Sequence, residues 1–165
     1  VDTITVEGLQ QLHQFRLGLS IERPEWELAG LPSVIQSRME SGWRSSQSGN
    51  DSSHFHEQVS KVLESMEIEH ENEAVTKGLS VDILILNPHP NLVIEVDGPH
   101  HFVRNTKREL GATRLKRRLL TCQGISVLHV PYFEWKSEWK SDQQQAYLLS
   151  KIQVATESRP TSSGL

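Results

Sequence analysis

Residues 81–97, VDILILNPHPNLVIEVD, decide the fold of this chain. The runs 81–86 and 92–97 are apolar and rich in β-branched side chains, and the segment between them reads NPHPN. Such runs on either side of a turn rich in Asn and Pro are typical of two neighbouring strands. The sequence therefore predicts a β-hairpin here.

Further elements surround this hairpin along the chain. Apolar residues recur at helical spacing over 55–66, residues 112–120 look helical and basic, 125–130 is a third strand, and a helix follows over about 142–153. A hairpin followed by a helical crossover to another strand implies a mixed sheet with helices against it. The predicted fold class is therefore α/β.

Composition divides the 165 residues into four expected segments. A stretch with six serines and two glycines in thirteen positions is typical of a flexible connector. The segments are 1–40, helical; 41–53, the serine-rich connector; 54–155, the organised α/β domain; and 156–165, a disordered tail. Because the chain begins at Val1 rather than Met, we expect it to be a fragment of a longer protein.

The overall charge gives an ambiguous first indication of function. A net charge of −4 argues against a nucleic-acid binder, which is usually basic. A single cysteine, Cys122, excludes an intramolecular disulfide and a multi-cysteine zinc site. No apolar run approaches the roughly 20 residues that a membrane span needs, so we expect no membrane partner.

Three acidic residues on the predicted hairpin form a candidate catalytic and metal site. Alternation along a strand puts Glu95 and Asp97 on one face, and we expect Asp82 to lie opposite Asp97. Clustered carboxylates repel one another unless a cation neutralises them, and Mg²⁺ prefers such oxygen ligands. A metal held there would serve phosphodiester hydrolysis, with His101 in acid–base work or contacting phosphate. The alternative is that Glu95 pairs with an arginine and that Asp97-Gly98 is an ordinary turn.

Residues 104–118, RNTKRELGATRLKRR, carry seven basic side chains against one acid. On a helix, its apolar residues share one face and its arginines spread over the other, which suits a phosphate backbone. The alternative is a solvated helix face. The candidate RNA-binding residues are His101, Arg104, Lys107, Arg114, Lys116, Arg117 and Arg118. The glutamates between 64 and 73, which we expect in a solvated helix end and loop, explain why the chain is still net negative.

Aromatic residues follow the third strand in VPYFEWKSEW, at 130–139. Aromatic side chains at a strand end can stack on nucleotide bases. More often such residues close the core, and we favour the core for Phe133 and Trp135.

The run SVDILIL…NLVIEVDGPHHFVRN…LGATRLKRRLL…GISVLHVPYFEW resembles the RAP domain over roughly residues 79–150. That family is named for RNA-binding proteins abundant in apicomplexans and occurs in organellar proteins of algae and plants. The RAP domain is in turn similar to the restriction-endonuclease-like fold, notably the very-short-patch repair endonucleases.

The resemblance also implies roles for particular residues. In the nuclease superfamily, an Asp on one strand and a Glu-x-Lys on the next carry the metal and the catalytic lysine. Asp82 and Glu95 match the acidic positions, whereas Asp97 stands where lysine is typical. Some nuclease relatives share a Glu-x-Asp-Gly pattern with a following His, which His101 matches.

Three functional hypotheses follow from the basic segment and the resemblance. The first is an RNA-binding domain of a larger mitochondrial or plastid protein, acting in RNA processing, stability or translation and needing no cofactor for binding. The second is an endonuclease that cleaves RNA or DNA with Mg²⁺ or Mn²⁺ through Asp82, Glu95 and Asp97. The third is a structural RNA-binding subunit of an organellar ribosome, with ribonucleoprotein or mitoribosomal proteins as partners.

Overall fold

A computed structural model describes residues 4–26, 30–47 and 54–157. The chain forms two compact units, Val1–Asp51 and Ser52–Leu165. Within the described ranges, no helix combines the length and the apolar character needed to cross a membrane.

The described residues of the first unit form two helices, α1 (Val6–Glu22) and α2 (Ser33–Gln47). Thr5 caps α1, since its hydroxyl oxygen accepts a hydrogen bond from the Gly8 N–H at 3.1 Å. The helices pack through the buried side chains of Leu9 and Met39 and through the rings of His13 and Trp43, which stack with centroids 5.0 Å apart.

The second unit contains a four-stranded sheet whose strands lie side by side in chain order. The first and second strands are antiparallel, as are the second and third, whereas the third and fourth are parallel. The predicted α/β class with a mixed sheet flanked by helices is therefore confirmed. The elements are α3 (His54–Ser65), β1 (Glu69–Thr76), β2 (Leu79–Asn87), β3 (Leu92–Asp97), a short 3-10 helix (Pro99–His101), α4 (Gly111–Cys122), β4 (Ser126–Pro131) and α5 (Ser141–Glu157).

Two of the expected segment boundaries differ from the structure. Helix α2 continues to Gln47, so residues 41–47 of the expected connector are helical, and 48–53 lie outside the described residues. Helix α5 continues to Glu157, which removes two residues from the expected tail, while 158–165 also lie outside the described residues. Serine and threonine are tolerated in helices, so composition alone misplaced both boundaries.

The second half of the acidic stretch before β2 forms a strand instead of the expected loop, whereas Glu64 at the end of α3 and Glu67 in the turn after it lie as expected. β1 is an edge strand, and its Glu69, Glu71 and Glu73 side chains are exposed while Ala74 is buried. β1 can form with few buried apolar side chains, because hydrogen bonds to β2 satisfy its backbone N–H and C=O groups. Charged side chains there also discourage pairing with another chain.

The hairpin register differs from the expected one by two residues. Ile83 lies opposite Ile94 and Leu84 opposite Val93, which brings Asp82 across from Glu95 rather than Asp97. Because side chains alternate with a period of two, this shift leaves every residue on its predicted face.

Helices cover both faces of the sheet. On one face, α3 and α5 pack on apolar strand residues to form the main core. That core includes Val59, Leu63, Ile83, Ile85, Leu92, Ile94, Leu128, Val130, Leu148 and Ile152. On the other face, α4 buries Leu119 and Leu120 and lies over the polar side of β3.

Glycine fixes the end of α4. Gly124 has φ +79°, and the N–H groups of Gly124 and Ile125 donate to the carbonyls of Thr121 and Leu120 at 3.0 and 3.1 Å. This left-handed cap turns the chain directly into β4. It thereby sets β4 beside β3, where the candidate site lies.

Candidate functional site

The candidate site lies on the α4 side of the sheet, where β3 and β4 run in parallel. Glu95 and Asp97 project from β3, and the register places His129 of β4 beside Glu95. The two carboxylates are only 4% and 1% exposed. They therefore form the floor of the site rather than its surface.

Lys116 of α4 neutralises Glu95 from above. Its Nζ donates to Glu95 Oε2 at 2.6 Å, and the lysine side chain is 26% exposed. Burial raises the pKa of Glu95 to about 7, and the lowering effect of Lys116 does not offset this. Part of this rise comes from the nearby charges of Asp82 and Asp97, the other two acids of the predicted cluster.

Two imidazoles cover Asp97. His129 Nδ1 donates to Asp97 Oδ2 at 2.5 Å, and His101 Nδ1 lies 3.5 Å from Asp97 Oδ1. His101 Nδ1 also lies 3.4 Å from Thr113 Oγ1 at the start of α4. Burial lowers the pKa of His101, which favours its neutral form near pH 7.

Asp82 holds the backbone of the neighbouring strand. Its Oδ2 accepts a hydrogen bond from the Val96 N–H at 2.7 Å. Each of the three predicted catalytic acids thus gives one oxygen to a donor of the protein. Among the described residues, no three His, Cys, Asp or Glu side chains are grouped as a metal site.

Three buried polar atoms at the site have no hydrogen-bond partner among the described residues. They are Glu95 Oε1, Asp97 Oδ1 and His129 Nε2. Buried polar atoms are normally satisfied, so unpaired atoms point to strain, function or a bound molecule.

A small basic hairpin, residues 102–109, connects the floor of the site to α4. Phe102 bridges to Glu109, and the Val103 N–H donates to the Arg108 carbonyl at 2.8 Å. Asn105 at its tip has φ +60°, a conformation that Asn adopts more readily than most residues. Arg104, Lys107 and Arg108 on this hairpin are exposed.

The outward side of α4 continues this positive surface. Arg114 and Arg118 are exposed. Arg117 Nη1 donates to Glu109 Oε1 at 2.8 Å and so joins α4 to the basic hairpin. We call the exposed set the basic patch; its members are Arg104, Lys107, Arg108, Arg114 and Arg118.

Lys116 is the predicted RNA-binding residue that the structure places differently. It turns inward to Glu95, because it shares a side of α4 with the buried Leu119 and Leu120, three and four residues later. Its charge therefore neutralises the floor instead of adding to the patch.

Sequence reasoning missed His129 and Thr113. In the sequence, His129 is visible only as a polar residue at an alternate position of ISVLHV. Its place in the site becomes clear only from the parallel register, which sets it beside Glu95 of β3. Thr113 carries no signal without knowledge of which side of α4 faces the sheet.

Known proteins share sequence similarity with this chain. The family model of the RAP domain matches residues 94–151. A chloroplastic RAP domain-containing protein of Oryza sativa subsp. japonica is 26% identical over 140 residues, which is 85% of this chain and 22% of the relative. The chain thus spans about a fifth of that relative. The resemblance to the RAP domain is confirmed, and it supports an RNA-binding domain.

A solved structure also resembles the chain. The catalytic domain of the homing endonuclease I-Bth0305I is 20% identical, covers 62% of this chain and 91% of its own, and superposes with a TM-score of 0.41.

Proposed function

We propose that this chain is the RNA-binding domain of a larger organellar protein that acts in RNA processing, stability or translation. The observation that carries the proposal is the basic patch, whose exposed cations come from two adjoining elements on one side of the sheet. The RAP match over residues 94–151 supports the same ligand.

Cations on two joined elements suit a polyanion. Lys and Arg that neutralise phosphates supply most of the affinity in nucleic-acid binding, and exposed side chains can reach them. The Arg117–Glu109 pair keeps the hairpin and α4 together, so the patch is positioned before the RNA arrives.

The acids beneath the patch oppose phosphate binding only weakly. Lys116 and His129 hold Glu95 and Asp97 from within the protein. The remaining excess of acids lies partly on β1, at the far edge of the sheet. The net charge of −4 is therefore compatible with RNA binding on the α4 side.

The organellar part of the proposal is supported by the rice relative, whose name describes it as chloroplastic. That name favours a plastid. Microscopy of a fluorescent fusion of the full-length protein would test whether the protein is imported into plastids.

Charge reversal tests RNA binding directly. We expect Arg104→Glu with Arg114→Glu to weaken binding to a labelled single-stranded RNA by about tenfold or more. Arg117 is left intact because its reversal would also break the pair with Glu109.

The matched control reverses two exposed lysines elsewhere, Lys61 on α3 and Lys140 before α5. This pair changes the net charge by the same amount but should leave affinity nearly unchanged. Equal losses in the two double variants, or no loss in either, would contradict a local RNA site.

A metal-dependent endonuclease is the second candidate. Glu95 Oε1 and Asp97 Oδ1 favour it, because these carboxylate oxygens have no hydrogen-bond partner among the described residues and so have capacity for one. In this case Asp82, Glu95 and Asp97 would hold Mg²⁺ or Mn²⁺, and His101 would be the neighbouring acid–base group. The metal would supply an activated water for phosphodiester hydrolysis.

The test is incubation of labelled RNA and DNA with the protein and Mg²⁺ or Mn²⁺. A nuclease predicts metal-dependent cleavage that is lost in Asp82→Asn and Glu95→Gln while both variants stay folded. Absence of cleavage by the unmodified protein with either metal would remove this candidate and leave RNA binding untouched.

A further inference from the structure

Tyr132 is an exposed aromatic residue in the turn after β4. Its side chain belongs to a cluster of three rings, with centroids 5.7 Å from Phe102 and 5.3 Å from Phe133. Tyr132 is nevertheless 40% exposed, whereas Phe102 is 7% exposed. Phe102 therefore packs in the core, whereas part of the Tyr132 ring lies at the surface and can contact a ligand.

The backbone around Tyr132 holds the ring in place. Its N–H donates to the carbonyl of Asp97 at 2.9 Å, which fixes the turn to the end of β3. Both ring contacts are edge-on, with interplanar angles of 61° and 82°. Among the described residues, no ring is stacked parallel on Tyr132.

Basic groups lie next to this ring cluster. Lys107 Nζ is 4.8 Å from the centroid of Phe133, and Phe102 is itself the first residue of the basic hairpin. Arg104 and Arg108 belong to the same hairpin. The basic hairpin and the exposed ring of Tyr132 are therefore held next to each other by Phe102.

We propose that Tyr132 stacks on an unpaired nucleobase of RNA whose phosphates are bound by the basic hairpin. The inference rests on the proposed RNA binding and adds that the RNA bound here is single-stranded. A base can stack on a side chain only when it is free of its own neighbours, so the site selects single-stranded over fully paired RNA. Every base has a π-face, so this contact itself tolerates any sequence.

Substitution at Tyr132 tests the ring. We expect Tyr132→Ala to weaken binding of a single-stranded RNA by about tenfold, in the range typical of one stacked base. Tyr132→Phe, which keeps the ring, should bind like the unmodified protein. Phe15→Ala, which removes an aromatic residue 61% exposed on α1, is the matched control and should change nothing.

A second measurement needs no variant. RNA carrying 5-iodouridine is irradiated in complex with the unmodified protein, and the crosslinked peptide is identified by mass spectrometry. We expect a crosslink at Tyr132, and a fully paired duplex of the same sequence should bind more weakly and lose it.

The outcomes separate this inference from the proposed function. Normal RNA binding by Tyr132→Ala with no crosslink at Tyr132 would overturn the stacking site and leave the basic patch intact. Equal weakening by Tyr132→Ala and Tyr132→Phe would assign the effect to the hydroxyl and also overturn stacking. If the unmodified protein binds no RNA, both proposals fail together.

Discussion

At the scale of single residues, the defining feature is a buried carboxylate that depends on a lysine from another element. Glu95 has little contact with water, and Lys116 is the basic side chain bonded to it. Removing one member of a buried ion pair leaves the charge of the other uncompensated. This destabilises the fold more than replacing both members by apolar residues of similar volume. The Glu95–Lys116 pair therefore ties α4 to the sheet.

Lys116→Met tests this dependence. At pH 8, where Glu95 is largely ionised, we expect the free energy of unfolding to fall by about 3 kcal/mol. At pH 5 the loss should be smaller, because Glu95 with its pKa raised to about 7 is then protonated. Urea denaturation at the two pH values measures the difference. An equal loss at both would show that only the packing of the lysine stem matters.

Glu95→Gln tests the raised pKa itself. The folded protein holds a proton on Glu95 up to about pH 7, whereas the unfolded chain releases it near 4.5. The native state binds more protons in that window, so its stability falls as the pH rises from 4.5 through 7. The lowered pKa of His101 acts in the opposite direction, so the comparison with the variant isolates Glu95.

We expect the stability of Glu95→Gln to change less across this window than that of the unmodified protein, by at most about 3 kcal/mol. Equilibrium denaturation from pH 4.5 to 8 measures it. Parallel pH profiles for the two proteins would contradict the assigned pKa.

At the scale of elements, the joint between α3 and β1 is polar. His56 Nε2 lies 2.9 Å from Asn72 Oδ1, Asn72 Nδ2 donates to Ser60 Oγ at 2.9 Å, and Ser60 Oγ lies 2.8 Å from His70 Nε2. His70 Nδ1 completes the chain by donating to the carbonyl of Ile68 at 2.8 Å. With the Ser60 hydroxyl donating to His70 Nε2, these bonds link α3 to β1, so the network can hold an edge strand that buries few apolar residues.

Ser60→Ala tests that network. The substitution leaves the Asn72 amide and the His70 ring nitrogen without their common partner, which should lower the free energy of unfolding by about 1–3 kcal/mol. Ser150→Ala on the exposed surface of α5 is the control and should change little. If Ser60→Ala and Ser150→Ala lower the free energy of unfolding by the same small amount in urea denaturation, then water replaces the hydrogen bonds of Ser60 and the network does not stabilise the fold.

The sequence was informative where a pattern is local. The strand bounds 92–97 match the predicted ones, because the apolar run and the Gly98-Pro99 pair directly after it are both local signals. The hairpin register was wrong by two residues, since turn length is set by backbone geometry that composition does not encode. The inward Lys116 and the role of His129 depend on how α4 and β4 dock, which only the assembled sheet determines.

At the scale of the whole molecule, charge is segregated. The glutamates of β1 lie at one edge of the sheet, and the basic patch lies on the α4 side near the other. A phosphate chain would meet the patch with the nearest carboxylates already paired, Glu109 with Arg117, Glu95 with Lys116 and Asp97 with His129. This segregation is what makes an acidic chain a reasonable RNA-binding domain.

The salt dependence of RNA binding tests the central claim most directly. Each phosphate neutralised on a single strand contributes about −0.7 to the slope of log K against log salt concentration. We predict a steep negative slope for the unmodified protein, shallower by about 1.4 in Arg104→Glu with Arg114→Glu, and unchanged in the Lys61 and Lys140 control. A slope near zero, or one that the two double variants share, would contradict RNA binding through the basic patch.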